Sequence, residues 1–280
     1  MPVDSLQSAV LAGQPLPSEW IIDGHAHLGI WYNFYIPSSS LDDYVRLMDR
    51  VGIQVSCVTG IPAIGPQTHQ GNALIAEAVA RYPHRFVAYC TVNPHRPQEG
   101  IDELENWRMP LVKFHPATHQ YPMDGPGYEP ALRFAERHRA TVLIHLWQGE
   151  SDCEPERLGR LAEKYPGVNF IAGHSGGTEK GFHQCVDLAR QFSNIYLDPT
   201  GSRVYAGSVE TLVAGPGPDR VLLGTDMGFL DPRPQIGRIV FAHLPEAVRR
   251  QILGQNMRRL LLQAKLLPGP MRDLLEKDSN

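Results

Sequence analysis

Short apolar runs rich in Val, Ile and Phe alternate with helix-like segments along this 280-residue chain, and this alternation constrains its fold more than any other feature. The predicted strands cover residues 21–28, 54–60, 86–93, 111–116, 142–146, 169–174, 195–198 and 221–225. Strands separated by helices pair in parallel through right-handed crossovers, and eight such units are typical of a closed (β/α)8 TIM barrel of the α/β class. An open doubly wound sheet is the second candidate, but no G-x-G-x-x-G phosphate loop follows the first strand.

The segments between the strands carry helix signals of their own. Ser40 precedes Leu41 and two acidic residues, which is typical of a capped helix start. Further helices are predicted over 72–82, 128–139, 155–165, 179–192 and 255–263. Since no long linker divides the chain, we expect one domain over 1–280, with an amino-terminal arm at 1–20 and a carboxy-terminal tail at 264–280.

Composition and charge exclude several classes of partner. The net charge is −4 and no basic run is present, so the chain lacks the electrostatic pattern of a nucleic-acid or membrane-surface protein. The four cysteines lie far apart without a C-x-x-C motif, which indicates reduced thiols and a cytoplasmic setting. The amino-terminal segment 1–20 lacks a basic region and has no apolar run long enough for a signal peptide or a membrane span. The expected partner is therefore a small-molecule substrate.

Side chains suited to catalysis or metal binding lie where five of the predicted strands end. They are His25 and His27 on strand one, Lys113 and His115 on strand four, His145 on strand five, His174 on strand six and Asp226 on strand eight. The carboxyl ends of the strands form the active-site face of such a barrel. Because a buried imidazole or carboxylate without a partner is costly, their convergence indicates that they bind one another or a metal.

His25 and His27 form the most suggestive single pattern. Side chains two residues apart on a strand point to the same face, so the two imidazoles can hold one ion. Imidazole is a common ligand of zinc and other divalent metals. Taken alone, the motif is equally consistent with two histidines on a half-buried strand.

The ordered motifs resemble the amidohydrolase superfamily. The resemblance spans 23–261 and is closest to the amidohydrolase-related (amidohydrolase 2) branch that includes aminocarboxymuconate-semialdehyde decarboxylase, whose last helix is similar to the segment 253–261. The resemblance implies a homodimer. It also implies that His174 is the catalytic acid or base, or that it polarises the substrate. It also implies one divalent ion, with zinc preferred over manganese or iron, bound by His25, His27, His145 and Asp226. Three nitrogens and one carboxylate suit such an ion and leave a position open for catalysis.

The chain departs from that branch in being short and in carrying Lys113 and His115 on strand four. In binuclear amidohydrolases a lysine on this strand can be carboxylated and bridge two metals, so Lys113 is a candidate for that role. Alternatively, Lys113 lines the pocket and pairs with a substrate carboxylate or with Asp226, and His115 lines it beside Lys113 or carries a proton. In either case the two side chains should point the same way.

Aromatic and basic residues in the loops are candidates for substrate binding. Trp31 and Trp147 follow strands one and five, together with Tyr32, Phe34 and Tyr35 after strand one, and these rings can form an apolar wall or pack on one another. Arg203 and Arg233 follow strands seven and eight, and a guanidinium binds a carboxylate in bidentate fashion.

These residues support three hypotheses about function. The first is a metal-dependent hydrolase of an amide, lactone or ester, in which a metal-activated water attacks, Asp226 accepts the proton and His174 assists the leaving group. The second is a metal-dependent non-oxidative decarboxylase of an aromatic or unsaturated acid. The short chain and Lys113 favour hydrolysis over decarboxylation. A catalytically silent barrel is disfavoured, because every expected ligand position is filled.

Overall fold

Seven parallel strands form the centre of the molecule, which a computed structural model describes over residues 4–16 and 20–277. The strands are β1 (Ile22–Leu28), β2 (Val55–Gly60), β3 (Phe86–Thr91), β4 (Leu111–Phe114), β5 (Thr141–His145), β6 (Phe170–Gly173) and β7 (Ile195–Leu197). Each strand pairs in parallel with the next along the chain. The predicted TIM-barrel architecture is confirmed, and the carboxyl ends of the strands meet at one face.

The predicted eighth strand, 221–225, lacks the regular pairing of a strand. Leu222 N donates to Leu197 O of β7 at 2.9 Å, and Gly24 N of β1 donates to Leu223 O at 2.8 Å. Leu223 N donates to Ile252 O outside the sheet, and Asp226 has a φ of +57°, which ends the extended conformation. The segment 221–227 therefore closes the ring between β7 and β1 through single bridges.

The helices surround the strands and follow the predicted alternation. Their bounds are α1 (Ser5–Leu11), α2 (Leu41–Val51), α3 (Ile61–Ile64), α4 (Thr68–Arg81), α5 (Pro97–Asn106), α6 (Pro116–His119), α7 (Glu129–His138), α8 (Pro155–Lys164), α9 (Glu179–Gln191), α10 (Ser208–Ala214), α11 (Pro232–Val240), α12 (Glu246–Arg250), α13 (Asn256–Gln263) and α14 (Gly269–Glu276). The Ser40 cap is confirmed, since Asp43 N donates to Ser40 Oγ at 3.3 Å. None of the helices within the described ranges has the length and apolar character needed to cross a bilayer.

The carboxy-terminal segment packs against the barrel, and the predicted tail from 264 onward contains the helix α14. Met257 and Leu261 of α13 and Met271 and Leu275 of α14 are buried. They belong to one apolar cluster with side chains of the strands, including Ile22, Tyr89, Leu111, Leu143 and Ile171. Because Ile22 and Leu111 are the first residues of their strands, α13 and α14 cover the end of the barrel opposite the active-site face.

The described part of the amino-terminal arm also contacts the body. Leu6 of α1 is buried, and Asp4 forms an ion pair with the buried Arg249 of α12. The parts of the predicted arm and tail at 1–3, 17–19 and 278–280 lie outside the described residues.

Candidate metal and active site

Three side chains at the active-site face bring their donor atoms together. The group consists of His25, His27 and Asp226, with one ligand atom from each residue within 4.8 Å of the others. His27 Nε2 lies 3.0 Å from Asp226 Oδ1, and His25 Nε2 lies 4.0 Å from the same oxygen. Two imidazoles and one carboxylate are a donor set that suits a divalent ion of the zinc or manganese type.

An irregularity in β1 aims the two histidines into the barrel. Its pairing with β2 shifts register between Asp23 and Ala26. Ile22 packs in the apolar cluster inside the barrel, and strict alternation would send Ile22 and His25 to opposite faces. The shift lets the lower part of β1 contribute to the core while the rings of His25 and His27 lie 5.3 Å apart on the functional side.

Asp226 is held beside these histidines by backbone contacts. Asp226 N donates to His25 O at 2.8 Å, and Asp226 adopts the left-handed conformation that few non-glycine residues adopt. The preceding Thr225 donates from its backbone N–H and its hydroxyl to the buried carboxylate of Asp23. These bonds fix the turn that carries Asp226 against the end of β1.

Burial and neighbouring charges prepare the three groups for metal binding. Burial lowers the pKa values of His25 and His27, so both imidazoles are neutral. Burial alone would raise the pKa of Asp226, but the hydrogen bond from His27 stabilises the ionised carboxylate, and the pKa is lowered. Two neutral rings and an ionised carboxylate are the protonation states that metal ligands require. His27 Nδ1 is also buried without a hydrogen-bond partner among the described residues.

Lys113 and Asp198 each contact one of the two ring nitrogens of His25. Lys113 Nζ lies 3.0 Å from Nε2, and Asp198 Oδ2 lies 2.6 Å from Nδ1. Lys113 is fully buried, and burial lowers its pKa to about 8. Asp198 was missed in the sequence, although it follows the last residue of β7, as the other candidates follow or end their strands.

His145 lies beside this group but is not part of it in the structure. Its Nδ1 lies 3.1 Å from His174 Nε2, and its ring stacks on His115 with centroids 4.1 Å apart. His174 Nδ1 in turn lies 3.1 Å from Thr200 O. The structure thus brings three of the four predicted ligands together. It places the fourth, His145, against His174, the predicted catalytic acid or base.

These groups open into one cavity of about 310 Å³. Its walls include the rings of Trp31, Phe34, Trp147 and Phe229, and His27, His115, His145, His174 and Asp226 line it as well. Arg203 also lines the cavity, and its guanidinium lies 5.7 Å from the centre of the Trp147 ring. Phe34 was among the aromatic residues predicted for this wall, whereas Phe229 was not predicted, and only the folded loop after Asp226 brings it there.

Arg233 is placed elsewhere. Its side chain is exposed and forms an ion pair with Asp231 at the start of α11, and it does not line the cavity. Arg233 was predicted to bind a substrate carboxylate because it follows the last barrel segment. In the structure its guanidinium binds the carboxylate of Asp231 instead.

A barrel with a histidine and carboxylate cluster at the carboxyl ends of its strands defines the class of metal-dependent TIM-barrel enzymes. Within that class, the chain belongs to the amidohydrolase family, whose sequence model matches residues 22–262. This match confirms the branch indicated by the sequence motifs.

Solved structures with the same fold include several decarboxylases. The 2,6-dihydroxybenzoate decarboxylase from Rhizobium is 16% identical, with a TM-score of 0.67 over 86% of this chain and 98% of that chain. The dihydroxybenzoic acid decarboxylase from Polaromonas sp. JS666, with bound manganese and 2-nitroresorcinol, is 17% identical, with a TM-score of 0.69 over 89% and 99%. A 5-carboxyvanillate decarboxylase from Novosphingobium aromaticivorans DSM 12444, also with manganese, is 14% identical, with a TM-score of 0.71 over 88% and 97%.

Proposed function

We propose that the protein is a metal-dependent non-oxidative decarboxylase of an aromatic or unsaturated carboxylic acid. One observation carries this proposal: His27 and Asp226 of the metal cluster, His174 and Arg203 all face a single cavity with aromatic walls. Such a cavity accepts a flat, ring-bearing acid, which binds through its apolar faces and its carboxylate. The decarboxylases among the structures of the same fold support the same reaction over hydrolysis, which the sequence had favoured.

The proposed cofactor is one divalent ion held by His25, His27 and Asp226, with His145 as a fourth candidate ligand. When bound, the ion would withdraw electron density from the oxygen atoms of the substrate and so stabilise negative charge that develops on it. Zinc was expected from the donor set. Manganese is an equal candidate, because two of the similar decarboxylases contain it.

The residues of the chain would bind the acid and move one proton. Arg203 would pair with a carboxylate at the cavity wall, while Trp31 and Trp147 contact the faces of the substrate. His174 would donate its Nε2 proton to the carbon that bears the leaving carboxylate. The new carbon–hydrogen bond takes an electron pair from the π system of the substrate. When the carbon–carbon bond breaks, its electron pair restores that π system, and carbon dioxide leaves. We assign Lys113 and His115 to positioning the histidines that they contact.

Hydrolysis is the second candidate, and the carboxylate of Asp226 is the observation that favours it. Asp226 lines the cavity and has a lowered pKa, so it is ionised and able to accept a proton from an attacking water. In that reaction Lys113 could serve as a carboxylated bridging ligand between two metals, and elemental analysis would then give about two equivalents of metal.

Isotope incorporation separates the two reactions. Metal-loaded protein is incubated with aromatic and unsaturated acids, and separately with lactones and amides, in D₂O enriched in ¹⁸O. Decarboxylation predicts carbon dioxide release and one deuterium on the product carbon, without ¹⁸O in the remaining product. Incorporation of ¹⁸O into a new carboxylate, without gas release, would refute decarboxylation and establish hydrolysis. The Asp226→Asn variant is the control, with turnover reduced by at least about a hundredfold.

A further inference from the structure

The turn that follows β7 lies between the metal cluster and His174. Asp198 and Thr200 are both buried there, each with 1% of its surface exposed. Asp198 Oδ2 is 2.6 Å from His25 Nδ1, whereas Asp198 Oδ1 accepts a hydrogen bond of 2.7 Å from Thr200 N and another from the Thr200 hydroxyl. The carbonyl of Thr200 lies 3.1 Å from His174 Nδ1. A continuous chain of hydrogen bonds therefore joins His25 to His174.

Ser175 fixes the backbone of this turn to the end of β6. Its hydroxyl donates to Asp198 O at 2.9 Å and accepts from Asp198 N at 3.0 Å. His174 and Ser175 both have positive φ values, of +59° and +44°. Non-glycine residues hold such conformations only where the surroundings stabilise them, so this double contact maintains the spacing between His174 and Asp198.

The contact also requires a glycine on the closing segment of the barrel. A Cβ atom on Gly224 would lie 2.0 Å from Thr200 Oγ1, 2.6 Å from Asp198 Oδ1 and 2.9 Å from His25 Cβ. No side chain fits at this position while Asp198 and Thr200 keep their contacts. The absence of a side chain at Gly224 thus leaves the space through which these two residues reach His25 and His174.

We propose that Asp198 and Thr200 are positioning residues that fix the tautomers of His25 and His174 and so couple metal binding to proton transfer. The proposal rests on the metal site and on the role of His174 given above. Since a carboxylate only accepts, Asp198 holds the proton of neutral His25 on Nδ1 and leaves a lone pair on Nε2, which lies 3.0 Å from Lys113 Nζ and 4.0 Å from Asp226 Oδ1. Since a carbonyl only accepts, Thr200 holds a proton on His174 Nδ1 and leaves Nε2 to exchange the transferred proton.

The Asp198→Asn variant tests this assignment without a large change in shape. Asp198 offers two acceptor oxygens to two separate N–H donors, whereas asparagine offers one acceptor and one NH₂ group. The backbone N–H of Thr200 cannot change its role, so we expect the amide oxygen to face Thr200 and the NH₂ group to face His25 Nδ1. The proton of His25 then moves to Nε2, and this nitrogen, which lies between Lys113 Nζ and Asp226, loses its lone pair.

Two measurements read out this change, and neither requires a substrate. In metal-free protein labelled with ¹⁵N-histidine, the ring nitrogen shifts of one histidine should change from the Nδ1–H to the Nε2–H pattern. In a competition with a chromophoric chelator, the affinity for Zn²⁺ or Mn²⁺ should fall by about tenfold to a hundredfold. Unchanged ring shifts together with an affinity within about twofold of wild type would overturn the proposal. Because both readouts precede catalysis, failure to find decarboxylation would leave them unaffected.

Gly224→Ala provides a second test should Asp198→Asn fail to fold. The added methyl group displaces Asp198 and Thr200 from His25 without altering any donor or acceptor, so metal affinity should again fall at least tenfold. Gly237→Ala is the matched control, because a Cβ at Gly237 of α11 meets no atom within 4 Å. If Gly224→Ala and Gly237→Ala bound metal equally well, the contact between Asp198 and His25 would have no effect on metal binding by His25.

Discussion

At the scale of single residues, the site depends on which charged side chains find a partner inside the protein. Arg233 pairs with Asp231 at the surface, whereas Arg203 has no ion-pair partner among the described residues and contacts the ring of Trp147. A guanidinium at a cavity wall can therefore pair with the carboxylate of a substrate. The two arginines form a natural pair for mutation.

Arg203→Gln should raise the KM for an acid substrate by about tenfold or more, with a smaller effect on kcat. Hydrogen bonds to a charged group contribute about 1.5–3 kcal/mol, and glutamine retains the polarity of the side chain without its charge. Steady-state kinetics on the substrate found by isotope incorporation measures both constants. Arg233→Gln is the control and should behave as wild type. Equal KM values for the two variants would assign carboxylate binding to another group.

At the scale of elements, the short helix α6 connects the end of β4 to the cavity wall. Thr118 donates from its hydroxyl to Ile64 O of α3, and Ile64, His115 and Thr118 all line the cavity. The last residue of α6, His119, is buried with its Nδ1 3.2 Å from the hydroxyl of Tyr128. Burial lowers the pKa of His119 to about 4, from 6.5 in an exposed imidazole.

This burial predicts a loss of stability on mild acidification. Between pH 6.5 and pH 4 the unfolded chain binds a proton at His119 that the folded chain does not, so the free energy of unfolding falls as the pH falls. From pH 7 to pH 5, the free energy of unfolding of His119→Gln should fall by about 2 kcal/mol less than that of wild type. Each pKa unit corresponds to about 1.4 kcal/mol. Urea unfolding at both pH values measures the difference, with the exposed His84→Gln as control. Parallel losses in wild type and His119→Gln would show that His119 does not titrate on unfolding.

At the scale of the whole molecule, the apolar packing that stabilises the barrel and the polar groups of the candidate site lie at opposite ends of the barrel axis. Apolar side chains of the strands pack on α13 and α14 at one end, and buried polar groups gather at the other. The polar end brings Asp226 together with His25 and His27 from the opposite end of the chain, and His25 contacts Lys113 and Asp198. A ligand that binds these groups in the folded state should therefore stabilise the entire barrel.

Adding a divalent ion to chelator-treated protein should raise the melting temperature. At a free concentration one hundred times the Kd, binding contributes about 2.7 kcal/mol to the free energy of unfolding. That corresponds to a rise of several degrees for a domain of this size. Scanning calorimetry with Zn²⁺ and Mn²⁺ measures the effect, and Asp226→Asn should lose most of it. A melting temperature that no divalent ion changes would contradict the metal site.

The sequence by itself determined the fold class, the strand order and most of the catalytic candidates. Its strand and helix periods are local properties, and polar residues after apolar runs mark strand ends in any barrel. His25, His27, His145, His174 and Asp226 could be predicted in this way, and the motifs they form identified the family.

The tertiary structure decided which of these groups touch. The shift in β1, the left-handed turn at Asp226 and the space above Gly224 depend on contacts between distant segments, and no local pattern encodes them. The same holds for the pairing of His145 with His174 and of Asp198 with His25. A hydrogen bond depends on atomic positions within a few tenths of an ångström, and only the packed barrel fixes positions that closely.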